Sequence, residues 1–163
     1  MQARIAKAQR PVMVRAMSHA ARPAWPVAEP FVVRRLATAG DADAFGHVNN
    51  VRYIDWAMEA AWAHSQALGL SFADYERLGV GCVVQRHEFD YLAPVMPGET
   101  VAVATWIAEC DGRVRLTRAF EMRRESDGAA LFRGRTKFVT IDMKTGRPAR
   151  MPPEFVAAYR PAG

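Results

Sequence analysis

The sequence is poor in cysteine: two in 163 residues, Cys82 and Cys110, far apart and in no CxxC pair. That excludes a disulfide framework of the kind that staples small secreted domains, and it points to free thiols in a reducing, cytoplasmic setting. Long apolar runs are also missing. None approaches the roughly 20 residues that a membrane-crossing helix needs, so no membrane span is expected. There is no glycine-rich phosphate loop of the P-loop or dinucleotide-binding type. The four histidines, His19, His47, His64 and His87, stand at no metal-ligand spacing. Neither a metal nor a cofactor is therefore expected.

Acids are the other absence. Residues 1–28 contain Arg4, Lys7, Arg10, Arg15 and Arg22 and no carboxylate; Glu29 is the first. The net charge of +5 arises there, because the remaining chain carries 17 basic and 17 acidic side chains. A nucleic-acid-binding domain would hold its basic surplus on the fold itself, so no nucleic-acid partner is expected. The stretch 1–30, punctuated by Pro11, Pro23, Pro26 and Pro30, reads either as an organelle presequence or as a disordered basic extension. A single domain is expected over 31–160. At 50% hydrophobic residues the chain can fill a substantial core.

What is present begins with Phe31 to Ala39, a strand-like run rich in β-branched residues that stops at Gly40. Gly40 to Gly46 (GDADAFG) is a short turn-forming run holding two acids, Asp41 and Asp43. A helix follows from about Asn50 to Leu68, where Val51, Ile54, Met58, Ala61, Trp62, Ser65 and Leu68 recur at three- and four-residue steps. Asn49 is placed to cap it and Gly69 to end it. Ser71 to Leu78 is a short helical or irregular connection. Four strand-like runs come next: Val80–Leu92, Val101–Cys110, Arg113–Glu125 and Ala130–Met143. Their turns fall at Pro97-Gly98, Asp111-Gly112 and Asp127-Gly128, which suggests a four-stranded meander. Pro152–Tyr159 adds a short helix. This is an α+β domain, one long central helix wrapped by a curved antiparallel sheet. The open sheet face and edge strands of such a domain predict a homo-oligomer.

The chemistry begins where strand gives way to helix. Asp43 stands a few residues ahead of a helix N-terminus, whose free N–H groups carry partial positive charge. That pairing can do acyl chemistry. The carboxylate attacks a carbonyl or activates water, and the helix end holds the oxygen that becomes negative.

The run Asp41-Ala42-Asp43-Ala44-Phe45-Gly46-His47-Val48-Asn49-Asn50, with Tyr53 downstream, resembles the signature of the hot-dog-fold acyl-CoA thioesterases, nearest the 4-hydroxybenzoyl-CoA thioesterase-like group. Phe89-Asp90-Tyr91-Leu92-Ala93-Pro94, followed by Pro97-Gly98-Glu99, resembles that family's second strand and exit turn. The resemblance covers Phe31 to Pro153. It implies a hot-dog fold, an acyl-CoA substrate, and active sites at the subunit interface of a homodimer or homotetramer. It further implies a catalytic carboxylate at Asp43 and an oxyanion-binding backbone N–H at Asn50. The His47-Val48-Asn49-Asn50 run is more polar than in the 4-hydroxybenzoyl branch and occurs in many family members, including, more distantly, plant acyl-ACP thioesterases. Carrier-protein thioesters, and a non-catalytic acyl-CoA-binding module of the same fold, stay open as alternatives.

His47 either orients water or the substrate carbonyl, or bonds to backbone. Asn49 is the helix cap. Tyr53 and Glu59 match positions often so occupied in the family, and another hot-dog branch uses a helix glutamate as its carboxylate. Arg133, Arg135 and Lys137 alternate along the last strand, and Arg113 and Arg115 along the one before it, so each set shares a face. They make either a basic stripe for CoA phosphates or a solvated outer sheet face. Trp56, Trp62 and the Val80–Val84 stretch are expected to shape the acyl pocket.

Overall fold

The computed structural model describes residues 24–162. The extension expected over 1–30 lies, as far as residue 23, outside the described residues. Strand β1 (Phe31–Leu36) passes through a one-turn 3-10 helix (Ala39–Asp41) to helix α1 (Asn50–Ala67). Helix α2 (Phe72–Leu78) follows, then β2 (Val80–Tyr91), β3 (Thr100–Cys110), β4 (Arg115–Arg124), β5 (Ala130–Asp142) and the short α3 (Pro153–Ala158).

The strands form one antiparallel sheet in the order β1-β3-β4-β5-β2. β3, β4 and β5 make the expected meander, but β2 does not join it beside β3. The link from Leu92 to Glu99 contains Pro94 and Pro97, which lack the N–H groups of a tight hairpin ladder. It carries the chain across the sheet, and β2 pairs with β5 instead, with a bulge between Val84 and Arg86. The two strands approach closely at Gly134. A Cβ there would sit 2.1 Å from Phe89 Cδ1 and 2.7 Å from the Glu88 carbonyl oxygen, so only glycine lets them meet.

Helix α1 crosses β3 and β1. Its buried stripe is Tyr53, Trp56, Ala57 and Ala60, together with Ala61 and Ser65. Only those last two belong to the stripe expected from spacing. Alanines let a helix axis come close to a sheet, so this face wins the interior against Val101, Val103, Phe120, Met122 and Phe132. Val51 and Trp62, expected inside, are 55% and 38% exposed. Side chains alternate along each strand, so Phe120, Met122 and Phe132 face the helix while Arg115, Arg133, Arg135 and Lys137 face away. A second cluster, Leu70, Tyr75, Leu116, Phe155 and Tyr159, closes the far end of α1 beneath α2 and α3. On the outer face the Trp25 ring lies 5.5 Å from the Arg123 guanidinium. Both cysteines are free. Among the described residues no helix is long and apolar enough to cross a membrane.

Candidate functional site

Between the 3-10 turn and α1 the chain doubles back on itself. Ala42 bridges Val48, the Asp43 N–H donates to the His47 carbonyl at 2.9 Å, and the Gly46 N–H donates to the Asp43 carbonyl at 3.0 Å. Gly46 takes φ +78, a conformation that favours glycine. Asp41 anchors the base of this turn. Its Oδ2 accepts from the Thr38 hydroxyl at 2.7 Å and the Thr38 N–H at 2.8 Å, and its carbonyl accepts from the Asn49 N–H at 2.8 Å. Arg52 stands 3.4 Å from the other carboxylate oxygen. The Thr38 hydroxyl first, then the Thr38 N–H, hold the Asp41 carboxyl below the usual range. Asp43, Phe45 and His47 are left at the exposed tip.

Asp43 Oδ1 accepts from the Phe45 N–H at 2.9 Å, and among the described residues nothing engages Oδ2. His47 enters the turn through its backbone carbonyl, with its ring exposed. Asn49 Oδ1 accepts from the Val51 N–H at 2.9 Å, as a cap should. The Asn50 N–H, at the first helical position, finds no acceptor among the described residues. A free N–H at the positive end of an 18-residue helix is suited to hold an oxyanion.

One tyrosine ties the loop to its surroundings. The buried Tyr53 hydroxyl accepts from the Val95 N–H at 2.9 Å, and the Val95 carbonyl accepts from the Val48 N–H at 2.9 Å. Burial pushes the Tyr53 pKa up, so it stays protonated. The Tyr91 hydroxyl donates to the Asn50 carbonyl at 3.3 Å, and its ring meets Tyr53 edge-on. Sequence reasoning assigns no role to Tyr91 or Val95; the signal was the Phe89–Pro94 run that holds the first and leads to the second.

The other candidates fall elsewhere. More than two turns beyond Asn50, the Glu59 carboxylate pairs with Arg35 of β1 at 2.5 Å. Arg115, Arg133, Arg135 and Lys137 share the sheet face away from α1, but Arg113 does not sit on a strand. Asp111 Oδ1 accepts from the N–H groups of Arg113, Val114 and Arg115, at 2.7, 2.9 and 2.9 Å. The chain is therefore still turning at Arg113, and β4 starts two residues later. Acids interrupt the stripe: Arg133 lies 3.5 Å from Glu121 and Arg135 3.4 Å from Glu109. Trp62 and Cys82 line a cavity, whereas Trp56 is buried in the core. Among the described residues no cluster of His, Cys, Asp and Glu is suited to hold a metal ion.

A family model described as the thioesterase-like superfamily matches residues 37–159. The chain belongs to this superfamily. The DHNA-CoA thioesterase of Staphylococcus aureus is 26% identical to this superfamily member, over 78% of this chain and 87% of its own, with a TM-score of 0.72. Slr0204 of Synechocystis, a 1,4-dihydroxy-2-naphthoyl-CoA thioesterase, is 20% identical over 80% of this chain and 96% of its own, TM-score 0.72. SAV2348 of Staphylococcus aureus, solved in complex with CoA, is 18% identical over 81% and 82%, TM-score 0.74. The last two show the fold alone. No curated protein matches the sequence. The sheet wrapped on α1 is thus the hot-dog fold of thioesterase-like proteins.

Proposed function

We propose that this protein hydrolyses acyl-CoA thioesters, with the Asp43 carboxylate and the Asn50 backbone N–H as its catalytic pair. The observation that supports the reading is their joint presentation. One anchored loop offers a carboxylate oxygen and, at the helix start, an N–H, neither of which is engaged among the described residues. The thioester carbonyl oxygen takes the Asn50 N–H. Asp43 then either attacks the carbonyl carbon, giving a mixed anhydride that water opens, or removes a proton from an attacking water. In both routes the C–S bond breaks, the thiolate leaves and is protonated, and the products are a free acid and the CoA thiol. Thiolate leaves readily, so no strong acid is needed at sulfur. A single oxyanion donor is worth roughly 10²–10³ in rate.

In this reading His47 orients water or the carbonyl, while Asn49 and Tyr53 position the loop. Arg115, Arg133, Arg135 and Lys137, with Arg113 at the adjoining turn, offer contacts for CoA phosphates. The setting is the cytoplasm and the active form a homodimer or homotetramer. A second copy would cover the edge of β2, which is a terminal strand of the sheet among the described residues, and the exposed Val51, Trp62 and Val84.

The test is free-thiol release from short, long, branched and aromatic acyl-CoAs, with the wild type beside Asp43→Asn. The expected result is wild-type turnover that falls about 10²–10⁴-fold in the folded variant. Turnover that survives the substitution moves the carboxylate elsewhere. No turnover of any acyl-CoA overturns the reading.

A further inference from the structure

Strand β4 buries two charges and treats them differently. On the outer face Glu121, 1% exposed, is met by both Arg123 and Arg133. On the helix side Arg118, 2% exposed, interrupts the apolar alternation of Leu116, Phe120 and Met122. Its guanidinium donates to His64 Nδ1 at 2.9 Å and to Ser65 Oγ at 2.8 Å, and lies 5.2 Å from the centre of the Tyr159 ring. An arginine only donates, so His64 accepts through Nδ1 and is neutral. Burial first, then the Arg118 charge, push the His64 pKa down to about 4. None of these partners carries a negative charge. Among the described residues no carboxylate lies within ion-pair distance of Arg118.

A cation withdrawn from water is costly unless a counter-charge meets it. The negative end of α1, which carries His64 and Ser65, offsets part of that cost. The remainder calls for an anion, and there is room for one. Arg118 forms one wall of a cavity of about 120 Å³ between α1, α2 and the sheet, whose other walls include Met58, Trp62, Tyr75, Cys82 and Phe138. Apolar and aromatic walls around one cation suit an apolar group that ends in a negative oxygen. Helix α1 gives Asn50 to the candidate active site and Met58 and Ser65 to this cavity. That separation along the helix is roughly 12–22 Å, the reach of a medium or long acyl chain and not of an acetyl group.

We propose that the cavity receives the far end of the acyl group and that Arg118 pairs with a carboxylate there, so that the preferred substrates are ω-carboxyacyl thioesters. The acyl chain rests on the thioesterase reading above; the anion site does not.

Calorimetric titration of the full chain with free monoacids from hexanoate to hexadecanoate, each beside the primary alcohol of equal length, tests the site without turnover. At one or more lengths the acid is expected to bind about 10–100-fold more tightly. That preference collapses in Arg118→Met and is partly kept in Arg118→Lys, which retains the charge. Equal binding of acid and alcohol at every length, or binding of neither, overturns the proposal. So does an undiminished preference in folded Arg118→Met. Should that variant not fold, the wild-type comparison and Arg118→Lys decide alone. Thiol release from decanedioyl-CoA and decanoyl-CoA runs alongside. A preference for the acid in binding with no turnover of either thioester leaves the anion site standing and overturns the hydrolase.

Discussion

The two ends of helix α1 hold charge in opposite ways. At its start the Asp43 carboxylate is exposed on a loop fixed by backbone hydrogen bonds, next to a helix terminus of partial positive charge. At its other end the Arg118 guanidinium is buried among Leu116, Tyr75 and Tyr159, and its partners are uncharged. The difference separates what the loop and the core contribute. A charge left at the surface can be changed at little cost to folding, so its effect is read in chemistry alone. A charge inside the packing belongs to chemistry and stability at once.

The largest expected effect lies at the exposed end. Asp43→Asn, with its loss of about 10²–10⁴-fold in turnover, should shift unfolding free energy by less than about 0.5 kcal/mol in urea. A larger shift would show that the loop and the core are not separate. Tyr53→Phe comes next. It leaves the buried Val95 N–H without its acceptor, which should cost about 1–3 kcal/mol. Urea midpoints would show it, and no change would mean that Tyr53 does not tie the loop down.

The buried end should announce itself through pH. His64 in the fold takes a proton only near pH 4, whereas in the unfolded chain it does so near 6.5. Between those values the unfolded state binds more protons. The stability is therefore complete above about pH 6.5 and is lost as pH falls toward 4. With the partial exposure of the ring discounted, the loss is on the order of 1–2 kcal/mol. His64→Gln, whose amide oxygen can still accept from Arg118, should flatten that part of the slope between pH 7 and 4.5. Identical slopes in the two proteins would mean that His64 titrates normally. The smallest effects return to the helix start. Asn49→Ala removes the cap for about 1 kcal/mol, seen in thermal unfolding. Asn50→Ala should leave turnover nearly unchanged, because the backbone N–H remains, and a large loss there would point to a side-chain role.

Legibility follows the same division. The helix start was readable because caps and turns are made within a few residues: Asn49 bonds Val51, and Gly46 and Gly69 take positive φ where residue type predicts it. The buried stripe of α1 was not readable from spacing. Alanine scores low for hydrophobicity, yet it gives the closest approach to a sheet, and Ala57 and Ala60 displaced Val51 and Trp62. The neighbour of β2 was not readable either, because the crossing at Pro94 and Pro97 has the same residue types as a turn. In the candidate site, the Tyr53–Val95 bond joins residues 42 positions apart, which no local pattern encodes. Arg118 was hidden by its company. In RVRLTRAFEMRRE the eye falls on Arg113 and Arg115, and the phase that sends Arg118 inward appears only once β4 is known to start at Arg115.

The crossing of β2 and β5 at Gly134 sets a limit on how this sequence can drift. Arg135 on one side is exposed and can be exchanged for many residues without touching the core, whereas Arg133 on the other side meets the buried Glu121. Gly134 has no such latitude, since its one hydrogen occupies the space where any side chain would strike Phe89 and the Glu88 backbone. In a saturation library selected for folding, position 134 should come back as glycine alone, while position 135 varies freely. Substitutions at Phe89 should be accepted only where they leave that glycine its room.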